Sequence, residues 1–180
     1  METSFKKHRN FSVHPTLKIT YISRIACGII GSVLCCIPLY YLRVEFIAQK
    51  IIGVFIFWLC WPHIAYRLAK KNRDYKKVER KNILIDAAAA GFCLGLIALN
   101  PWPGLAGTLI VHGNSIMIGG MRLLIKTIPC FIAGLLIKFL ILGIEINLEP
   151  FLESTVVSAV AITAYTLLLS TVSYTQTQKR

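Results

Sequence analysis

Six long apolar runs separated by short polar segments dominate the chain, at roughly 22–42, 46–66, 83–99, 104–121, 123–144 and 156–172. Each run is apolar around its whole circumference rather than along one stripe, which suits a helix facing lipid. Each is also close to the ~20 residues that a bilayer crossing needs. The pattern predicts an all-α membrane protein, a six-transmembrane-helix bundle. Prolines gather mainly near run ends, as in Asn100-Pro101-Trp102-Pro103-Gly104, where a missing N–H costs least. The fourth and fifth runs meet at Gly119-Gly120-Met121-Arg122, so their connection has to be very tight.

Charge gives the runs an orientation. The 180-residue chain is 56% hydrophobic and only 16% charged, yet its formal net charge is +12. With both termini inside, inner segments hold 17 of the 20 Lys and Arg residues, among them Lys6, Lys7, Arg9, Lys18, Arg24, Lys126, Lys179 and Arg180. Only Arg43 and Lys50 fall outside and Lys138 falls within a run, while Glu45, Glu145, Glu149 and Glu153 mark the outer side. By the positive-inside rule this predicts a cytoplasmic tail over 1–21, a membrane domain over 22–172 and a cytoplasmic tail over 173–180. The first run is longer than the apolar region of a cleavable signal and lacks its small-residue exit, so it is expected to stay as an anchor. Six spans consume about 120 positions, leaving no room for a soluble catalytic domain of on the order of 100 residues. The basic segment from Arg67 to Lys81 is expected to attract anionic lipid headgroups, at about 1 kcal/mol per charge. With Tyr75 its sole aromatic and the bilayer beside it, nucleic acid is not an expected partner.

Polar residues inside the runs are the candidate chemistry, since a charge in hydrocarbon costs about 2.5–3.5 kcal/mol on insertion scales. Depth counted from the inner basic residues places His63, Asp86, Asn114 and Arg122 together in the inner leaflet. The expected network has Asp86 accepting from His63 or Arg122, with Asn114 extending it toward the midplane. Such a network is either a set of static ties of about 0.6 kcal/mol each or a proton or ligand sensor, because histidine beside a carboxylate titrates near neutral pH. His112 and Lys138 lie deeper and are placed where they could meet near the bilayer centre. Ala87, Gly91 and Gly95 form a small-residue ridge, suited to close packing within the chain or to a homodimer. Cys27, Cys35, Cys36, Cys60, Cys93 and Cys130 all fall inside runs without a Cys-x-x-Cys spacing and are expected to pack as small hydrophobes, Cys35-Cys36 being the one redox candidate. No metal site is predicted. No cofactor is predicted either: His63 and His112 differ in depth by about 9 Å, which argues against a shared haem.

Several of these residues fall into a motif. Trp61-Pro62-His63-Ile64-Ala65-Tyr66, then Arg73-Asp74, then Glu79-Arg80-Lys81-Asn82-Ile83-Leu84-Ile85-Asp86 resembles the signature of the second type of bacterial membrane-associated sensor (MASE) domain. Asn100 with its proline turn, Asn114, Gly119-Gly120-Met121-Arg122 and Val172-Ser173-Tyr174 extend the likeness from about Arg24 to the end of the chain. The resemblance implies an input module of the bacterial inner membrane, joined to a diguanylate or adenylate cyclase domain. The chain stops at Lys179-Arg180 without a Gly-Gly-Asp/Glu-Glu-Phe loop. Cyclase activity is therefore not expected of it, and an output domain is expected either lost by truncation or acting in trans. The competing reading is a small transporter or channel, with the intramembrane polar groups along its path.

Overall fold

The computed structural model describes residues 15–41, 47–149 and 151–177. The segment 1–14, Arg43 and Glu45, and Lys179 and Arg180, which entered the charge argument, lie outside the described residues. All regular structure among the described residues is helical: α1 (Pro15–Tyr41), α2 (Ile47–Lys71), α3 (Tyr75–Leu96), α4 (Pro101–Leu142) and α5 (Leu152–Thr177). Four of these contain stretches long and apolar enough to cross a membrane: Leu17–Tyr41, Ala48–Lys71, Pro101–Leu142 and Leu152–Leu169. The exception is α3, whose first twelve residues carry Lys76, Lys77, Glu79, Arg80, Lys81, Asn82 and Asp86, leaving an uninterrupted apolar stretch of only ten residues from Ala87 to Leu96.

Helix α4 is two arms rather than one rod. Gly120 breaks it with φ 65° and ψ −164°, a conformation in the positive-φ range that glycine adopts without Cβ strain. The rings of His112 and Phe131 lie 5.6 Å apart, whereas 19 residues of straight helix would span about 28 Å. The positions of Gly104 and Lys138 likewise abut the consecutive α3 residues Leu94 and Gly95. The chain therefore reverses at Gly120, giving one arm over 101–119 and another over 121–142.

Helices overrun the apolar windows. α1 begins at Pro15, α2 runs on to Lys71 and α3 starts at Tyr75, because lysine and arginine end a hydropathy window but are good helix formers. Pro62 thus stands well inside α2, and Pro129 inside α4; prolines are tolerated within membrane helices where neighbours meet the freed backbone groups. The expected inner loop between Arg67 and Lys81 is a helical hairpin turning at residues 72–74.

The tightest packing is α3 against the second arm of α4. A Cβ at Gly91 would fall on the Phe131 carbonyl, and one at Gly134 on the Ala88 carbonyl, so the two backbones touch directly. One apolar cluster joins Cys35 and Leu39 of α1, Val54 of α2, Cys93 and Leu96 of α3 and Ile97 just after it. Another joins Leu34, Ala106 and Ala161 from α1, α4 and α5. Large apolar side chains point outward from all five helices, with Leu140 and Leu152 85% and 75% exposed. So apolar an exterior suits lipid, not water: the protein is a multi-pass membrane protein.

Candidate functional site

The site is built on the face of α3 that carries Glu79, Asn82 and Asp86. The intervals of three and four residues put all three on one side of the helix, and all three are buried. Asp74 starts α3 as its N-cap, its Oδ1 accepting from the Lys77 N–H at 3.2 Å, a strongly preferred capping arrangement. Asn82 then donates from Nδ2 to the Ala65 carbonyl at 3.2 Å, tying α3 to α2.

Arg24 of α1 completes the site. Its Nε donates to Asp86 Oδ2 at 2.9 Å and its Nη2 to Glu79 Oε2 at 3.0 Å. Trp61 of α2 donates from Nε1 to the other Asp86 oxygen. Arg24, Glu79 and Asp86 are 6%, 4% and 7% exposed, so one guanidinium and two carboxylates are held out of solvent, joining α1, α2 and α3. Burying such charges is tolerable only where partners and hydrogen bonds compensate their lost hydration.

The predicted network is therefore corrected. His63 is exposed and its Nδ1 lies 2.8 Å from the Tyr21 hydroxyl, away from Asp86; Tyr21 also lies against Tyr66. Arg122 is exposed beside the reversal at Gly120, and Arg73 and Arg80 are also exposed. Asn114 belongs to another contact, its Oδ1 accepting from Tyr165 of α5 at 3.1 Å, while the same hydroxyl donates to the Ile110 carbonyl at 2.9 Å. Residues at equal depth can face different neighbours, so depth alone does not choose partners. By charge Arg24 marks the inner boundary of the first run, yet α1 begins nine residues before it, at Pro15. The available signal was a lone arginine flanked by Tyr-Ile-Ser and Ile-Ala-Cys.

His112 and Lys138 do not meet. His112 Nδ1 is 2.8 Å from the Thr108 carbonyl. Lys138 reaches the end of its own arm, donating to the Gly143 carbonyl at 3.0 Å and approaching Glu145 at 3.6 Å; its stem lies over Gly95, as an amphipathic lysine packs. Gly91 and Gly95 of the ridge lie against the second arm of α4, and Ala87 is buried with them, so the ridge packs within the chain and is not open to a dimer partner.

Beside the charged group lies a cavity of about 100 Å³, walled mainly by α1, α3 and α4 and reached by Trp58 of α2 and Leu168 of α5. Arg24, Asp86 and Asn114 are on its wall, so the charged group and the Tyr165 contact face one space. Tyr165→Phe, which removes the α4–α5 tie, is expected to cost about 0.6–1.7 kcal/mol, the range for interhelical hydrogen bonds in membranes. Unfolding of the purified protein in mixed micelles measures this, and an unchanged midpoint would show the tie to be energetically silent.

Comparison with known proteins follows the same residues. The chain is 29% identical over 114 residues to the "Probable diguanylate cyclase DgcC" of Escherichia coli K12 and, with the same figures, to its counterpart in Escherichia coli O6:H1 strain CFT073. Each match covers 63% of this chain but only 31% of the relative, so this chain spans under a third of those proteins. No solved structure matches it. The model of the MASE2 domain matches residues 20–109, half of the chain, a stretch that holds Arg24, Trp61, Glu79, Asn82 and Asp86; the chain belongs to the MASE2 domain family.

Proposed function

We propose that the chain is a signal-input and anchoring module of the bacterial inner membrane that regulates a nucleotide cyclase, producing cyclic di-GMP or cAMP, carried on the same or a separate polypeptide. The observation that carries this reading is the Arg24–Glu79–Asp86–Trp61 group. It joins three helices inside the bundle and borders a cavity whose far wall includes α5, the helix leading out of the domain. A stimulus that loosens the group would alter how α5 is held, giving the two states a switch requires.

Six crossings with both termini cytoplasmic fit this role. The reversal at Gly120 supplies two of them from α4, and α3, whose carboxylates Glu79 and Asp86 are met by Arg24 of α1 and Trp61 of α2, supplies another. The exposed basic hairpin around residues 67–81 then lies along anionic headgroups, adding about 1 kcal/mol per charge.

The test is a cyclase domain fused after Arg180. Trp61→Phe removes one hydrogen bond at Asp86 while leaving both ion pairs, a change of about 0.6 kcal/mol. That is expected to shift cyclase output about threefold at unchanged membrane abundance. Output indistinguishable from the parent across stimuli would reduce the group to a structural tie.

A further inference from the structure

The cavity is apolar over most of its wall, where Leu34, Ile83, Leu94, Ile97, Val111 and Phe131 meet. At about 100 Å³ it is of the order of apolar cavities, about 150 Å³, that take up benzene. A buried donor without a partner belongs to a residue on that wall: Arg24 Nη1. Unmet buried donors are rare enough to need a reason, and a molecule offering an acceptor oxygen provides one.

Charge narrows the class. Arg24 is already shared between two carboxylates, so the group is nominally −1 and a further anion would meet repulsion in a medium of low dielectric. A cation finds no unpaired carboxylate there, only hydroxyl oxygens such as those of Ser23 and Thr108: both Asp86 oxygens already accept hydrogen bonds, and Glu79, whose Oε1 is unmet, is not on the cavity wall. We infer that the cavity binds a small neutral apolar molecule bearing a carbonyl oxygen, which enters from the lipid, buries its body among the apolar residues and accepts from a wall N–H. This deepens the sensor reading, on which only its signalling consequence rests.

The full chain in nanodiscs, titrated with 4-fluoroacetophenone and followed by fluorine NMR, tests the inference. A saturable component of one site per chain is expected above linear partitioning into lipid. The alkene isostere 4-fluoro-α-methylstyrene, lacking the acceptor, is expected to bind about tenfold more weakly, and 4-fluorobenzoate to show no saturable component. Gly107 lines the cavity with open space where its Cβ would be, so Gly107→Leu fills the cavity and is expected to abolish the component. Absence of saturable binding to the parent, equal affinity for ketone and alkene, tighter binding of the benzoate, or binding that survives Gly107→Leu at unchanged helicity would each overturn the inference. Should Gly107→Leu not fold, the three probes on the parent decide alone. Saturable ketone binding without any change in a fused cyclase would uphold the site and sink the sensor reading. A Trp61→Phe response with no probe bound would do the reverse.

Discussion

Arg24→Met is expected to destabilise the protein by about 3–5 kcal/mol, the cost of removing one partner from a buried ion pair. The loss exceeds that of the contacts themselves, because Glu79 and Asp86 would remain buried without a cation. The arginine aligns two helices and neutralises two carboxylates at once, and methionine fills part of its volume without doing either. The triple variant Arg24→Met, Glu79→Gln, Asp86→Asn is expected to recover most of the loss, since it carries no uncompensated charge. Thermal unfolding of both variants in the same micelles measures the difference. A single variant as stable as the parent, or a triple variant no better than the single, would show that water already reaches these carboxylates.

The second large effect lies where α3 meets the second arm of α4. Gly134→Val or Gly91→Val places side-chain atoms on a neighbouring backbone carbonyl, which cannot swing aside as a flexible side chain does. A loss of about 3 kcal/mol is expected, at the upper end for overpacking, with α3 and α4 pushed apart. Gly53, on the exposed side of α2, has nothing within 4 Å of its would-be Cβ, so Gly53→Ala is the control. It is expected to leave stability unchanged or raise it by up to about 1 kcal/mol through helix propensity. Equal unfolding midpoints for the Gly134 variant and this control would mean that the two backbones are not in contact.

The helical membrane character of the chain was legible because lipid imposes a simple rule: spanning backbone must satisfy itself, and helices do so locally. The reversal at Gly120 was also legible, from two glycines between apolar runs too long together for one crossing. What hydropathy could not supply was which faces of the helices meet. His63, Asp86, Asn114 and Arg122 share a depth, yet His63 turns to Tyr21, Asn114 to Tyr165, and Asp86 to Arg24 and Trp61. The role of Arg24 is hidden in the sequence because a charge near the end of an apolar run looks like a boundary, although the helix continues past it. The fate of the small-residue ridge likewise depended on a distant segment, the arm that brings Phe131 and Lys138 over Gly91 and Gly95.

The uneven polarity of α3 bears on how such a chain is made. An aspartate near a helix centre opposes insertion by roughly 2.5–3.5 kcal/mol, and α3 has Glu79 as well, so it is a poor candidate to leave the translocon alone. α1 and α2 emerge from the ribosome earlier and carry the arginine and tryptophan that receive those carboxylates. If α3 crosses the bilayer as proposed, its entry is expected to follow that of the first two helices, which would then serve as an in-built insertion chaperone for the third.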